Sequence, residues 1–299
     1  MDHVVITGAT CAVGVALTEI CLEKGCLVTA LVREDSSHRD RLPRSDRLRL
    51  VSRGLSDLND LEANELGICD VFYHLAWTDT DRDGRYDVGR QHKNIQYTLD
   101  ALALARRLGC RKFVGAGTQA EYGARKGMME PDSPVDPCFA YAVCKYAAGR
   151  LASLQAKQYG MDFFWVRICS IYGKYDLPGT MISSALAKMR KGEHCSFTPG
   201  THLWDYLYSD DAGKAFYLIG ERAAGNKVYC LASGTSRPLR EYVEQMRDVA
   251  CPGLELGMGE IPYDEDNHRD ICVDITSLCR DTGWRPETDF KSGIEKLLT

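Results

Sequence analysis

The fold is decided near the N-terminus by residues 4–14, which read VVITGATCAVG. An apolar, β-branched run leads into a turn at Gly8, and a helical pattern starts close to Gly14. Glycine at these two positions lets the backbone approach a bound pyrophosphate and lets the helix pack closely on the strand. The positive end of a helix attracts anions at such a turn. The stretch is compatible with a plain strand-to-helix turn, but it favours a cradle for the phosphates of a dinucleotide.

Outward from this unit, short apolar runs alternate with helical patterns. Strands are predicted at residues 3–6, 27–32, 48–51, 70–75, 112–115 and 162–168, and helices at 13–23, 94–108 and 140–159. After residue 173, helices are predicted at 180–191, 211–221 and 239–249, and a strand at 227–231. Such alternation predicts an α/β fold with a doubly wound parallel sheet. We expect a Rossmann-type domain at 1–173 and a smaller C-terminal α/β substrate lobe at 174–299, with the chain crossing between the two.

The composition is that of an ordinary globular chain, with 299 residues, 44% hydrophobic and 26% charged residues, and a net charge of −5. Nucleic-acid-binding domains usually carry net positive charge, so we expect no nucleic-acid partner. The sequence contains no apolar run of about 20 residues that could span a bilayer. Its first residues also lack the basic and long apolar segments of a signal peptide. These features predict a cytoplasmic protein with no membrane partner.

The chain contains thirteen cysteines, an odd number. No two of them have the C-x-x-C spacing, and the seven histidines are scattered. Most of the cysteines fall in apolar runs, where free cysteine packs as a small hydrophobic side chain. We therefore expect reduced thiols, with neither a disulfide framework nor a metal site.

Tyr141 and Lys145 lie four residues apart in a helical pattern, so their side chains share one face. An ammonium close to a phenol lowers the pKa of the phenol, which would let Tyr141 act as a general acid or base. Thr118 comes after the fifth predicted strand, at the edge where parallel sheets bind ligands. Each residue alone also fits a structural role, such as a helix pair or a capping threonine. Their order after the glycine turn indicates a catalytic set.

These motifs resemble the extended short-chain dehydrogenase/reductases, in particular the epimerases, 4,6-dehydratases and 4-keto reductases of nucleotide-linked sugars. The matching segments are Thr7-Gly8-x-x-Cys11-x-x-Gly14 for the family's T-G-x-x-G-x-x-G, then His74-Leu75-Ala76, Asn94, Arg167-Ile168-Cys169-Ser170-Ile171-Tyr172-Gly173, Asp205-Tyr206-Leu207 and Gly283-Trp284-x-Pro286. The family's middle glycine is Cys11 in this chain. The resemblance implies NAD(P) binding by the first domain, nucleotide-sugar binding by the lobe, and a homodimer formed through residues 94–108 and 140–159.

The residues and the resemblance together give three sets of candidates. The catalytic set is Thr118, Tyr141 and Lys145. The cofactor-binding set is Gly8, Thr10, Cys11, Ala12, Val13, Gly14, Arg33, Leu75, Ala76, Asn94, Tyr141, Lys145 and Ile171. The substrate-binding set is Trp77, Gln119, Ala120, Ser170, Trp204, Arg237 and Arg269.

Departures from the family narrow the chemistry. Related 4,6-dehydratases carry an Asp-Glu pair directly after the catalytic threonine, where this chain has Gln119 and Ala120. Neither side chain can exchange a proton, so dehydration is disfavoured. Ala120 also stands where epimerases that reduce a 4-keto group use a cysteine to deprotonate carbon. The reaction that remains is the exchange of a hydride and a proton at one carbinol or carbonyl carbon.

On the substrate side, Ser170 replaces the family's asparagine, and Trp204 replaces an arginine that meets the nucleotide phosphates. Arg237 and Arg269 are candidates for a substitute anchor, although both also fit a purely exposed role.

Charge bears on the choice of cofactor. NAD enzymes place an acid at the end of the second strand to bind the ribose hydroxyls, whereas this strand is followed by Arg33. A guanidinium can pair with the 2′-phosphate of NADP. Glu34 and Asp35 could instead reach the ribose of NAD. We expect NADP, with NAD as the alternative.

The sequence thus favours a 4-keto reductase of a nucleotide-linked deoxysugar. The alternatives are a nucleotide-sugar 4-epimerase that retains NAD, a non-catalytic dinucleotide-binding regulator, and a reductase of a free ketone. The intact set of Thr118, Tyr141 and Lys145 argues against the regulator.

Overall fold

The structure is a computed structural model that describes residues 1–124, 127–263 and 270–299. Its strands are β1 (His3–Thr7), β2 (Leu27–Val32), β3 (Leu48–Ser52), β4 (Val71–His74), β5 (Lys112–Thr118), β6 (Met128–Met129), β7 (Asp162–Ile168), β8 (Ile171–Tyr172), β9 (Cys195–Phe197), β10 (Leu203–Trp204), β11 (Leu207–Tyr208), β12 (Asn226–Leu231), β13 (Arg237–Pro238), β14 (Leu256–Met258) and β15 (Cys272–Val273). Its helices are α1 (Ala12–Glu23), α2 (Ala63–Leu66), α3 (Val88–Gln91), α4 (Lys93–Arg107), α5 (Ala140–Tyr159), α6 (Met181–Met189), α7 (Ser209–Arg222), α8 (Leu239–Ala250), α9 (Thr276–Thr282) and α10 (Phe290–Leu298). Short 3-10 turns lie at Arg39–Arg41, Leu55–Asp57, Gly84–Tyr86 and Gln119–Tyr122.

Within the described residues, seven parallel strands form the main sheet in the order β12-β7-β5-β4-β1-β2-β3. The chain winds outward from β1 in one direction through β2 and β3, and in the other through β4, β5 and β7. This confirms the predicted doubly wound sheet. Thr7 at the end of β1 lies opposite His74 at the end of β4. The loops that follow these strands therefore leave side by side, at the switch point where such sheets bind ligands.

Most strand bounds agree closely with the sequence, but β5 is longer than predicted. Its pairing with β7 continues to Thr118, opposite Ile168. Gly115 and Gly117 favour a loop in the sequence, whereas in the sheet they leave room for the Trp165 ring, which a Cβ on either glycine would overlap. Thr118 is therefore the last residue of the strand and does not follow it in the loop.

The chain returns to the main sheet after residue 173. β12 pairs with β7 along the edge of the sheet. α7 packs against α1 so closely that a Cβ on Gly213 would lie 2.6 Å from the Cβ of Ala16. Trp284 is fully buried and donates its indole N–H to the Asp211 carbonyl oxygen at 2.9 Å. The division into residues 1–173 and 174–299 stays a prediction.

A second core lies in the C-terminal part of the chain. It packs α6, α8 and α10 with β9 and β14, around Met189, Phe197, Tyr242, Val243 and Ile294. The side chains of α6 and of the segments around β9 and β10 face the ends of β5 and β7 across a cavity. None of the helices in the described ranges is both long enough and apolar enough to cross a bilayer.

Candidate active site

The turn after β1 brings the backbone very close to the loop after β4. Gly8 adopts φ +75°, a left-handed conformation that glycine tolerates without strain. A Cβ on Gly8 would lie 2.6 Å from the Ala76 nitrogen, and a Cβ on Gly14 would collide with the Gly8 carbonyl oxygen. Packing alone thus requires both glycines. Around this turn the structure brings together Gly8, Thr10, Cys11, Ala12, Val13, Gly14, Leu75 and Ala76.

Cys11, which replaces the family's middle glycine, is the N-cap of α1. Its Sγ accepts a hydrogen bond from the Gly14 N–H at 3.3 Å. No acidic side chain occurs at residues 12–15, so the positive end of the helix is open to an anion. Arg41 adds a cation, because its Nη1 donates to the Thr10 carbonyl oxygen at 3.3 Å. The turn therefore fits the pyrophosphate of a dinucleotide cofactor.

Two buried polar residues hold the loop after β4 beside this turn. The Asn94 Oδ1 accepts a hydrogen bond from the Thr78 N–H at 2.9 Å. The His74 Nδ1 lies 2.9 Å from the Thr7 hydroxyl. Burial lowers the pKa of His74 to about 3, so the imidazole is neutral. Asn94 thus shapes the candidate cofactor site through the backbone of the loop.

A cationic rim lies where β2 ends. Arg33 is exposed and sits 3.8 Å from the Asp35 carboxylate. Arg39 is anchored more firmly, because its Nη2 donates to the Arg33 carbonyl oxygen at 2.7 Å. The Nε of Arg39 is buried and has no hydrogen-bond partner in the described part of the chain. Arg41 thus contacts the glycine turn, and Arg33 and Arg39 lie together at the end of β2.

Thr118 and Tyr141 line the same cavity. Thr118 caps the 3-10 turn at Gln119–Tyr122, and its Oγ1 accepts from the Ala120 N–H at 3.3 Å. Its hydroxyl lies close enough to the phenol of Tyr141, in the first turn of α5, to lower the pKa of that phenol. This pair can place a substrate oxygen between an orienting hydroxyl and a proton donor.

Lys145 lies one turn further along α5 and is only 4% exposed. Its Nζ donates to the Ala116 carbonyl oxygen at 2.6 Å and lies 4.0 Å from the centroid of the Trp77 ring. Its distance to the centroid of the Tyr141 ring is 6.0 Å. Burial lowers the pKa of Lys145 to about 7, so this ammonium is only partly charged at neutral pH.

Burial raises the pKa of Tyr141 above its ordinary value, although the Thr118 hydroxyl and the charge of Arg85 act in the opposite direction. The expectation that Lys145 lowers this pKa is not met. The Lys145 ammonium is bound to the Ala116 carbonyl and packed on Trp77, whereas the guanidinium carbon of Arg85 lies 5.3 Å from the centroid of the Tyr141 ring.

A buried carboxylate supports Thr118 from behind. The Glu121 Oε1 accepts from the Thr118 N–H and from the Trp165 indole N–H, each at 2.9 Å. Its Oε2 accepts from the Arg167 Nε at 2.8 Å. Trp165 in turn lies in a slot formed by Gly115, Gly117 and Gly149. This network fixes the end of β5, and sequence reasoning did not identify Glu121.

A cavity of about 730 Å³ opens beside Thr118 and Tyr141. Its aromatic lining consists of Tyr86, Phe139, Tyr141, Phe197, Trp204 and Tyr206. Arg85 and Lys188 supply cationic groups, and none of the described residues that line it is acidic. A volume of this size can hold a large organic ligand, and its charge favours an anionic one.

Several lining residues carry a buried polar atom without a hydrogen-bond partner in residues 1–124, 127–263 and 270–299. These atoms are Arg85 Nε, Gln119 Oε1, Ser170 Oγ and Trp204 Nε1. Leaving such an atom unpaired costs about 1–3 kcal/mol, so the cavity has hydrogen-bonding capacity to offer a ligand. Ser170 also adopts φ +34°, which is unusual for a residue other than glycine.

The structure does not bring all predicted substrate residues to the cavity. Gln119, Ala120, Ser170 and Trp204 line it. Trp77 lies beneath Lys145 and donates its indole N–H to Gln91 Oε1 at 2.8 Å. Arg237 packs over the Tyr242 ring at 4.2 Å. Arg269 lies outside the described residues. On the cofactor side, Ile171 pairs with Leu207 in a short ladder.

Sequence reasoning also missed Arg85 and Lys188. A signal for Arg85 exists, since the stretch between His74 and Asn94 must return along the ligand-binding edge of the sheet. That stretch contains three arginines, at positions 82, 85 and 90, and their spacing does not show which one faces the cavity.

Comparison with known proteins agrees with this geometry. Residues 4–232 match the NAD dependent epimerase/dehydratase family. A dTDP-glucose 4,6-dehydratase of Streptomyces niveus is 24% identical over 230 residues, which cover 76% of this chain and 68% of the relative. A CDP-abequose synthase of Salmonella typhimurium is 23% identical over 308 residues, which cover 99% of this chain and 97% of the relative.

Among solved structures, the UDP-N-acetylglucosamine 4-epimerase of Methanobrevibacter ruminantium superposes with a TM-score of 0.88 at 19% identity, covering 99% of this chain and 98% of that one. This likeness shows the fold. The family match spans most of the chain and includes the glycine turn, Thr118, Tyr141 and Lys145. The chain therefore belongs to the NAD dependent epimerase/dehydratase family, a family of enzymes to which its motifs already pointed.

Proposed function

We propose that this chain is an NADP-dependent oxidoreductase that reduces the 4-keto group of a nucleotide-linked deoxysugar. The observation that carries the proposal is that Thr118 and Tyr141 line one cavity, in which Gln119 and Ala120 replace a carboxyl pair. A phenol proton is available there for a carbonyl oxygen. The described lining contains no carboxyl group that could support elimination of water.

In this proposal the bound nicotinamide supplies the hydride. Tyr141 donates its phenol proton to the carbonyl oxygen. Thr118 orients that oxygen, because its hydroxyl lines the same cavity as the phenol. Lys145, buried next to them, offers its N–H groups to the ribose hydroxyls of the cofactor. Aromatic side chains such as Phe139 exclude water from the reacting carbon.

The preference for NADP is supported by the cationic rim at the end of β2. Arg41 contacts the glycine turn, and Arg33 and Arg39 lie at the end of β2, where the adenosine ribose of a bound cofactor would be. A 2′-phosphate would give these guanidinium groups paired acceptors. The buried Nε of Arg39 has no partner in the described chain and would gain one.

A nucleotide-linked sugar as substrate is supported by the lining of the cavity. Lys188 can balance charge of a diphosphate, and the aromatic side chains can stack on a base. The Trp204 Nε1 can donate to an acceptor of the ligand where the family places an arginine. The names of the relatives, with dTDP-, CDP- and UDP-linked compounds, agree with this class.

A 4-epimerase that retains NAD is the second candidate. Asp35 favours it, since its carboxylate lies near the end of β2, 3.8 Å from Arg33, and could accept hydrogen bonds from an unphosphorylated ribose. The same Thr118, Tyr141 and Lys145 would serve both directions of that reaction.

The proposal is tested with a panel of 4-keto and 4-hydroxy sugars linked to UDP, dTDP and CDP. Each is incubated with NADPH or NADP⁺ while absorbance at 340 nm and the products are followed. Oxidation of NADPH with a 4-keto sugar is the expected result. Epimerisation without a net absorbance change, by protein purified with NAD, would favour the second candidate. Absence of turnover with every member would overturn both.

A further inference from the structure

The turn that carries Arg85 is tied to the loop after β4 by Gln91, which does not line the cavity. Gln91 is fully buried, and its Nε2 donates to the Asp79 carbonyl oxygen at 2.7 Å and to the Gly84 carbonyl oxygen at 3.0 Å. Its Oε1 accepts the indole N–H of Trp77. These bonds tie the 3-10 turn at Gly84–Tyr86 to the loop after β4. These bonds fix the backbone from which the Arg85 side chain extends.

The guanidinium of Arg85 lies over the Tyr141 ring, with its carbon 5.3 Å from the ring centroid. Phe139 stacks on the same ring at 6.1 Å, and Trp77 presents its edge at 6.0 Å. Arg85 makes no ion pair with a described residue, and its buried Nε has no hydrogen-bond partner among them. Its charge is thus not neutralised by a neighbouring carboxylate in the described chain.

The other charged groups near Tyr141 are less suited to act on it. Lys145, on the same helix, is bound to Ala116 and Trp77, and the charge of Glu121, behind Thr118, is balanced by Arg167. From the C-terminal lobe, Lys188, His202 and Cys195 line the same cavity. The Arg85 guanidinium carbon lies 5.3 Å from the centroid of the Tyr141 ring, whereas the Lys145 Nζ lies 6.0 Å from it.

We propose that Arg85 is the permanent cation of the catalytic centre, a positioning residue that stabilises the phenolate of Tyr141. The inference rests on the proposed function in taking Tyr141 as the proton donor. During reduction the phenol O–H bond breaks, the proton moves to the carbonyl oxygen, and a phenolate remains until solvent returns a proton. A guanidinium over the ring face attracts that negative charge through the ring and through space.

Arg85 and Lys145 differ in how firmly they hold their protons, which is why the arginine is the better partner for the phenolate. Burial lowers the pKa of Lys145 to about 7, so its charge fades above neutral pH. A guanidinium stays protonated across the whole range in which enzymes work. Burial raises the pKa of Tyr141, and Arg85 is the described cation that opposes this rise.

The test reads the ionisation of Tyr141 directly and needs no substrate. Tyrosine labelled with ¹³C at Cζ is incorporated, and the Tyr141 resonance is assigned by its loss in Tyr141→Phe. Its shift is then followed from pH 8 to 10.5 in wild type, Arg85→Gln and Arg85→Lys. Arg82→Gln, an exposed arginine on the same loop, is the matched control.

We expect Arg85→Gln to move the titration of Tyr141 upward by about one pH unit, the shift typical of losing an opposite charge at 4–6 Å. At pH 10 the phenolate fraction then falls about tenfold. Arg85→Lys should restore most of the difference, and Arg82→Gln should leave the curve unchanged. If Arg85→Gln does not fold, Arg85→Met replaces it in the same titration.

An Arg85→Gln curve that coincides with wild type would overturn the inference. That result would leave the proposed reaction untouched, because turnover in the sugar panel is measured separately. Conversely, a shifted curve in a protein without turnover would overturn the reaction and keep the role of Arg85 as the partner of the phenolate.

Discussion

Glu121 and Arg167 form an ion pair that is almost completely buried, with side chains 0% and 5% exposed, directly behind the threonine of the candidate catalytic set. We expect Glu121→Gln to lower the free energy of unfolding by about 3–5 kcal/mol, because the Arg167 charge would remain buried without its partner. Urea denaturation followed by circular dichroism measures this. Glu287→Gln, which breaks the exposed pair with Lys214, is the control and should cost at most about 1 kcal/mol. Equal losses in the two variants would contradict a special role for the buried pair.

Tyr141→Phe should lower turnover by about 10²–10⁴-fold, since it removes the proposed proton donor and leaves the ring in place. Binding of the cofactor, measured by fluorescence titration, should survive. Tyr146→Phe, on the same helix and outside the large cavity, is the matched control. Turnover of Tyr141→Phe within a few-fold of wild type would remove this residue from the mechanism.

Arg33→Asp should reverse the preference for cofactor. The wild type is expected to bind NADPH about tenfold more tightly than NADH, which corresponds to about 1.4 kcal/mol. The difference should shrink at high salt, because the site is exposed and screened. Titration calorimetry with both cofactors measures it. Arg44→Asp makes the same charge change at another exposed position and should keep the preference. Stronger NADH binding by the wild type would favour the 4-epimerase.

The pKa of Lys145 predicts a specific pH dependence of stability. In the unfolded chain this lysine keeps its proton up to its ordinary pKa of 10.5, whereas in the folded chain it loses the proton above about 7. Between these values the unfolded state binds more protons, so this group makes folding more favourable as pH rises.

Between pH 7 and pH 9 the unfolding free energy of wild type should therefore rise relative to that of Lys145→Met, by about 2 kcal/mol. Urea titrations at the two pH values measure the difference. Lys157→Met, an exposed lysine on the same helix, should follow wild type. If the unfolding free energies of wild type and Lys145→Met changed equally between the two pH values, the buried amine would keep its proton.

We predict a homodimer formed through α4 and α5. These helices pack together, and α5 leaves Val143, Leu151 and Leu154 at 46%, 45% and 58% exposure in the single chain. Light scattering at micromolar concentration should give twice the mass of one chain for the wild type. For Leu154→Glu it should give the mass of one chain. Leu177→Glu, at an exposed apolar site outside α4 and α5, should stay dimeric. A monomeric wild type would contradict the prediction.

The parts of the site that could be predicted from sequence depend on short-range spacing. The glycine turn is one strand-to-helix connection, and Tyr141 and Lys145 are separated by one turn of a single helix. Their mutual position follows from helix geometry and needs no knowledge of the rest of the chain. For the same reason the bounds of β2, β7 and α5 agree with the predicted ones.

The rest depends on contacts between distant segments. Arg85 reaches Tyr141 because Gln91 ties its turn to the loop after β4, an arrangement that leaves no periodic mark in the sequence. β5 extends past Gly115 because an indole from β7 fills the space above its glycines. The pKa of Lys145 depends on burial by several segments at once, so its spacing from Tyr141 did not reveal that it would face Ala116.

The place of β12 at the edge of the main sheet has a consequence for how the protein is made. On a ribosome the first six strands of that sheet emerge well before Asn226–Leu231. Until then β7 presents an unpaired edge to solvent or to other nascent chains. The apolar face of α1 likewise stays uncovered until α7 has been synthesised. The main sheet can therefore be completed only after residues in the last quarter of the chain have been synthesised.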